Sequence, residues 1–414
     1  MSVKVYFKTV GCRVNQVETE SLREKFMALG HTAAAEPEDA DLVVVNTCSV
    51  TEKADRDCVA FLRRTAAANP KASIAVTGCL ATLEPGKILA AAPGATLFTN
   101  KEKGNIPAQL CGSAPSGDFF SVTKFHGKAR AFVIVQDGCN LKCAYCLVNL
   151  ARSELRSKPV EAVVDEIKKL IDSGFSEIVL CGTRLGIYRC KSGATLEDLA
   201  KRLFALDGDF RIRFSSIESE ELTPGLLKVL KAAGPKFCEY FHLPLQAGSD
   251  PVLKAMGRLY DTAKYKAKLE ELRSIFPGVG IYADIIAGYP TETEEDFAAA
   301  VKFVRGCALS GLHVFSFSGR PGTKAAALKA LPQKTVAARS AALRALDGEL
   351  RAACAASMLG KKYTALVLKN KDGRALALAS NFVNIELPGP QKTGRLVRCR
   401  ITAARDGACL AEVI

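Results

Sequence analysis

No apolar run in this chain reaches the roughly 20 residues that a spanning helix needs, which excludes a membrane-spanning helix. No signal-peptide pattern precedes the strand-like start Met1-Ser2-Val3-Lys4-Val5-Tyr6-Phe7, so the expected compartment is the cytoplasm. Acidic residues are in deficit: 43 Asp and Glu against 57 Lys and Arg leave a net charge of +14. That balance favours a polyanionic partner, RNA or DNA being the simplest, over a merely basic enzyme. A second C-x2-C pair is also missing, although zinc modules usually carry two. The fifteen cysteines are odd in number and lie in a large chain without a secretion signal, which argues against a disulfide framework and for reduced thiols and metal ligands. With 414 residues, 48% of them hydrophobic, the chain can bury a large core in two or three domains.

What is present centres on Asp137-Gly138-Cys139-Asn140-Leu141-Lys142-Cys143-Ala144-Tyr145-Cys146. Cys139, Cys143 and Cys146 are spaced C-x3-C-x2-C within eight residues, with no fourth cysteine or histidine close by. So short a loop can turn three thiolates to one point but cannot close a four-ligand cage. An iron–sulfur cubane on three thiolates keeps one iron open to chelate a substrate, as a catalytic metal site requires. A zinc knuckle or chance thiols are the alternatives on the loop alone.

A second trio lies in the N-terminal third. Val3 to Phe7, Leu42 to Val45 and Ser73 to Val76 read as strands, alternating with helices from about Asn15 to Leu29 and Glu52 to Ala68. This alternation predicts an open parallel sheet, whose ligands sit beyond the carboxyl ends of its strands. Cys12, Cys48 and Cys79 each follow a strand at that edge, and Gly11 and Gly78 allow close backbone approach there. The alternative is buried structural cysteine, the reading given to Cys58 and Cys111. Pro107 to Gly117 reads as a linker.

Further on, Ala131 to Val135 delivers the cluster loop. Strands at Glu177 to Cys181, Arg211 to Ser215, Glu239 to Leu243, Gly280 to Ile286 and Leu312 to Phe317 alternate with amphipathic segments. Six βα units predict a partial barrel with its chemistry at the strands' carboxyl ends. Gly182, Ser216, Glu218, Gln246 and Asp284 fall there, in loops suited to hydrogen-bond ribose, adenine and an amino acid. Pro332 to Met358 reads as an Ala-rich linker helix. Short strands from Tyr363 to Ile414 suggest a small β-barrel, and from Ser357 onward ten Lys or Arg and four Asp or Glu give 10 − 4, a net +6, suited to phosphate contact. Phe382 is a candidate for base stacking, with a core role as the alternative.

The C-x3-C-x2-C loop resembles the radical S-adenosylmethionine (SAM) superfamily. Together with the second trio, Arg211-Ile212-Arg213-Phe214-Ser215-Ser216-Ile217-Glu218, His242-Leu243-Pro244-Leu245-Gln246-Ala247-Gly248-Ser249-Asp250, Asp284-Ile285-Ile286-Ala287-Gly288-Tyr289-Pro290 and Phe315-Ser316-Phe317-Ser318-Gly319-Arg320-Pro321-Gly322-Thr323, it resembles the radical SAM methylthiotransferases along essentially the whole chain. The resemblance implies two 4Fe-4S clusters: Cys139, Cys143 and Cys146 for the one that binds SAM, Cys12, Cys48 and Cys79 for an auxiliary one. It places Gly182, Ser216, Glu218, Gln246 and Asp284 at SAM. It also implies a terminal TRAM RNA-binding domain, and boundaries of 1–112, 113–124 (linker), 125–331, 332–356 (linker helix) and 357–414. Asn149-Leu150-Ala151-Arg152-Ser153, Ala247 and Thr291 depart from the family's pattern.

The implied reaction places a methylthio group on an unactivated C–H bond by radical chemistry that only the cofactors can supply. Gly11-Cys12-Arg13-Val14-Asn15-Gln16-Val17-Glu18-Thr19-Glu20 and Asn46-Thr47-Cys48-Ser49-Val50-Thr51 most resemble the branch acting on N6-threonylcarbamoyladenosine at position 37 of tRNA, with Arg13 and Val17 as mild departures. Implied partners are a tRNA anticodon loop, SAM and an electron donor such as flavodoxin or ferredoxin. The isopentenyladenosine branch, the branch modifying a ribosomal-protein aspartate, and a non-catalytic iron–sulfur RNA-binding protein remain as alternatives.

Overall fold

Leu42-Val43-Val44-Val45 sits at the centre of the first sheet, where all six residues of its strand are buried. In a computed structural model, which describes residues 2–112 and 119–414, the parallel strands β1 (Lys4–Thr9), β2 (Thr32–Ala33), β3 (Leu42–Thr47), β4 (Ser73–Gly78) and β5 (Thr96–Leu97) pair in the order β2-β1-β3-β4-β5. Helices Arg13–Ala28 and Glu52–Ala68 return the chain across the sheet. Thr51 caps the second of these by accepting the Ala54 N–H at 3.2 Å. The open parallel sheet is as expected.

The middle of the chain builds β6 (Ala131–Asp137), β7 (Arg156–Ser157), β8 (Glu177–Gly182) and β9 (Arg211–Phe214), ordered β7-β6-β8-β9, and then β10 (Tyr240–His242), β11 (Gly280–Ala287) and β12 (Gly311–Ser316), ordered β10-β11-β12. Parallel bridges Ile212–Phe237 and Ser216–His242 join β9 to β10. β7 pairs antiparallel to β6, and the other six strands form the expected partial barrel. A near-continuous core of Val, Ile, Leu and Phe lies between barrel and helices.

Helix Gln333–Ala356 leads to a closed barrel of β13 (Lys362–Lys371), β14 (Arg374–Ala379), β15 (Asn384–Pro388), β16 (Leu396–Arg405) and β17 (Ala408–Val413), in the order β13-β14-β15-β17-β16. Asp372-Gly373 and Asp406-Gly407 close the β13–β14 and β16–β17 hairpins with positive φ at both residues, the turn geometry that suits antiparallel strands. Arg211 holds this barrel to the core by donating to the Thr364 and Leu378 carbonyls at 2.8 and 2.9 Å, and Arg213 donates to Ser380 O at 2.9 Å. Glu177, fully buried, accepts from both guanidiniums.

Phe382 belongs to this joint. Its ring lies 4.5 Å from Tyr240 and 5.5 Å from Tyr282, so it packs between barrel and core and is not offered to a base. Pro107 to Cys111 is not linker but most of a helix, Ile106–Cys111, because Pro107 suits a first turn and Ile106 is buried. Of the expected 113–124 linker, 113–118 lie outside the described residues. Among the described residues no helix is long and apolar enough to cross a membrane.

Candidate active site

Cys12, Cys48 and Cys79 leave the carboxyl ends of β1, β3 and β4. Gly11, at φ +104°, makes the approach possible: a Cβ there would lie 2.4 Å from Cys48 Cβ and 2.6 Å from its Sγ. Cys12 occupies the N-cap position of helix Arg13–Ala28, and Cys79 opens helix Cys79–Leu83. Asn15 fixes the backbone around them by donating to Val10 O at 2.8 Å and Thr47 O at 3.0 Å. All three thiols border a cavity of about 350 Å³.

Cys139, Cys143 and Cys146 border a second cavity, of about 330 Å³, above the barrel. Gln136 shapes their loop from beneath by donating to the Asp137 and Gly138 carbonyls at 2.8 and 2.7 Å, and Arg152 O accepts the Cys139 N–H at 3.1 Å. Ser216, Glu218, Gln246 and Asp284 line this cavity with the thiols. Gly182 does not: it lines the other cavity, beside Cys12, Cys48 and Cys79. Val50, Val148, Ser216 and Asp284 border both spaces, so the two trios open onto adjoining rooms with a common wall.

The sequence reading left out the groups that hold this wall in place. Arg258 donates to Cys143 Sγ at 3.4 Å and to Tyr260 Oη at 3.2 Å, and pairs with Glu218. Burial, against the pull of Arg258, leaves the Glu218 carboxyl above its ordinary value. His242 Nε2 stands 2.8 Å and His313 Nδ1 3.3 Å from Asp284 Oδ1. Burial opposes ionisation of Asp284, yet the hydrogen bonds from His242 and His313 outweigh it and hold that carboxyl well below the usual range. Gln246 keeps a left-handed φ of 68° between hydrogen bonds from its own N–H to Asp284 O and from Ile286 N–H to its carbonyl, a strained backbone at the cavity wall. Arg152, within a segment that departs from the family pattern, pairs with Asp137 at the end of β6 and with Glu18 of the N-terminal sheet domain, both at 2.9 Å, and so ties one cysteine trio to the other.

The donor chemistry suits clusters. All fifteen cysteines are free, and burial pushes the Cys48 and Cys146 thiols up to about 12, with the sulfurs of their own trios adding to the shift. Iron would offset that cost, because the thiolate is the metal ligand. Among the described residues only His242, Asp284 and His313 come close enough together for a single ion; neither cysteine trio does, as expected where a cubane spaces its thiolates. Three thiols beside a polar cavity at the carboxyl ends of a six-stranded partial barrel define a radical SAM enzyme.

Comparison with known proteins agrees. Residues 133–304 match the radical SAM superfamily, and residues 4–99 match the family described as "Uncharacterized protein family UPF0004". The chain is 33% identical to threonylcarbamoyladenosine tRNA methylthiotransferase MtaB of Aquifex aeolicus over 96% of its own length and 100% of that protein. It is 35% identical to MtaB of Bacillus subtilis over 78% of this chain and 76% of that one. It is also 32% identical to tRNA-2-methylthio-N(6)-dimethylallyladenosine synthase of Cereibacter sphaeroides, covering 100% of this chain and 99% of that one. The chain belongs to the radical SAM methylthiotransferase family. Among solved structures, the radical SAM methyltransferase TsrM of Kitasatospora setae shares the fold, with a TM-score of 0.56 and 14% identity over 78% of this chain and 77% of that one.

Proposed function

We propose that this enzyme converts N6-threonylcarbamoyladenosine at position 37 of tRNA to its 2-methylthio derivative. The observation that carries the reading is the pair of cysteine trios on adjoining cavities with shared walls. Cys139, Cys143 and Cys146 would hold the cluster that binds SAM, and Cys12, Cys48 and Cys79 the auxiliary one. Bound there, the clusters and SAM supply the 5′-deoxyadenosyl radical and the methylthio sulfur. The chain's own residues do the rest by position. Arg258 braces Cys143 and turns Glu218 toward the cavity, and Ser216, Gln246 and Asp284 present polar atoms where SAM would lie. Gly182 lines the cavity on the auxiliary side. Val50 and Val148 line the common wall with apolar surface.

The reading extends to a cytoplasmic enzyme fed by a low-potential donor such as flavodoxin or ferredoxin, with segment 125–331 as the catalytic core and 1–112 as the auxiliary-cluster domain. An anticodon loop suits such a site, because its bases can be splayed into a pocket. Nucleoside mass spectrometry of tRNA from a deletion strain, with and without this chain, tests the reaction. The 2-methylthio threonylcarbamoyl nucleoside should return with the chain; its absence would sink the assignment.

Segment 357–414 is read as the RNA-binding domain, since all ten of its Lys and Arg are exposed. Lys369, Lys392 and Arg395 lie around one rim, where Val367 N–H donates to Arg395 O and Gly394 N–H donates to Val367 O, both at 2.9 Å. Changing these three to Gln should weaken tRNA binding and flatten the slope of log K against log salt by about 2 to 3. An unchanged slope would show that RNA crosses another face.

A further inference from the structure

Arg13 is the one guanidinium bordering the two cavities that forms no ion pair among the described residues. The other three have carboxylates: Arg152 has Glu18 and Asp137, Arg184 has Glu221, and Arg258 has Glu218. Arg13 instead faces the Tyr240 hydroxyl and the Phe132 ring, whose centroid is 6.0 Å away. Its cavity is the one bordered by Cys12, Cys48 and Cys79. His313 stands on the same wall with a side chain 35% exposed. Its Nδ1 is turned to Asp284, and in the imidazolium form its Nε2–H would be a second donor on this wall. Asp284 is already engaged by two imidazoles, His242 and His313. Ser215 Oγ, also at this cavity, is buried without a partner among the described residues, a further polar atom left for a ligand.

We propose that Arg13 and His313 receive the carboxylate at the end of the N6 substituent and thereby select the threonylcarbamoyl adenosine over adenosines with apolar substituents. The inference rests on the reaction proposed above. In adenine, C2 and C6 flank the same ring nitrogen. A base that turns C2 toward the auxiliary trio therefore keeps its N6 substituent within the same cavity. A threonylcarbamoyl group ends in a carboxylate, which a guanidinium can take through two parallel hydrogen bonds. An isopentenyl group in the same place would leave Arg13 desolvated and unpaired. Sites built around a polar partner reject ligands that lack it far better than apolar pockets reject added groups.

The test uses the cluster-loaded enzyme and three anticodon stem-loops: the threonylcarbamoyl form, its methyl ester, and the isopentenyl form. Dissociation constants are read by fluorescence anisotropy beside product formation. The wild type should bind the acid about tenfold or more tighter than the ester. Arg13→Met should bring that ratio close to one, and Arg13→Lys, which keeps the charge but not the two parallel bonds, should keep only part of it. His313→Gln lies away from the cysteine-bearing loops, so its result does not depend on cluster loading at Cys12; there the ratio should fall about threefold or more. A wild type indifferent to esterification, or an undiminished ratio in both Arg13→Met and His313→Gln, overturns the inference while leaving the reaction intact. A wild type that modifies only the isopentenyl loop overturns the reaction itself.

Discussion

Replacing Cys139, Cys143 and Cys146 together by Ala should leave about half of the iron, since one of two cubanes is lost. Formation of 5′-deoxyadenosine should then cease, because no open iron remains to chelate SAM. Replacing Cys12, Cys48 and Cys79 should also leave about half of the iron, with reductive cleavage of SAM retained and no methylthio product formed. The two results differ because the trios occupy separate cavities and only one of these is lined by Glu218 and Gln246. Cys58→Ala is the control: that thiol is fully buried among Phe61, Leu62 and Val76 and borders neither cavity, so iron content should stay at the wild-type level. Iron and sulfide analysis with product chromatography reads all three variants. Full iron in either triple variant would refute the ligand assignment.

The cysteine trios were legible because each thiol stands directly after a hydrophobic strand or within one short loop, and both patterns are local. The six barrel strands were legible for the same reason. What escaped reading is held by pairs far apart in the chain. Arg152 and Glu18 are 134 residues apart, and Arg320 reaches back 265 residues to Asp55. No periodicity links such positions, so nothing local marked Arg152 as a clamp between domains. Arg258 follows a helix end and has no local signal for its reach to Cys143 and Glu218. Phe382 failed for the opposite reason: its local setting, an aromatic on a basic barrel, resembles a base-stacking platform, while its partners Tyr240 and Tyr282 come from the core. Gly182 carried a strand-end position correctly but not a side, since β8 ends where the two cavities meet.

Glu18→Gln should lower the stability of the chain by about 3–5 kcal/mol at neutral pH, the usual cost of removing one partner of a buried ion pair. Glu18 is 2% exposed, and its carboxylate takes Arg152 on one side and Lys103 on the other. Gln keeps the shape but leaves two buried cations with only Asp137, among the described residues, to answer them. The pH dependence gives an independent check. Burial pushes the Glu18 carboxyl up, but Arg152 and then Lys103 more than reverse this, bringing it from 4.5 down to about 2. A carboxyl depressed in the folded state stabilises it above the unfolded value and loses that contribution on protonation. The wild type should therefore hold its advantage over Glu18→Gln above about pH 4.5 and lose it progressively as the pH falls toward 2. Urea unfolding midpoints of both proteins across that range measure the difference. Because Arg152 also supplies the carbonyl that accepts the Cys139 N–H, the variant should load iron less completely at the SAM-side trio than at Cys12, Cys48 and Cys79. Equal stability at pH 7, or a gap that does not close with acid, would mean that the two cysteine-bearing domains are held together by something other than this clamp.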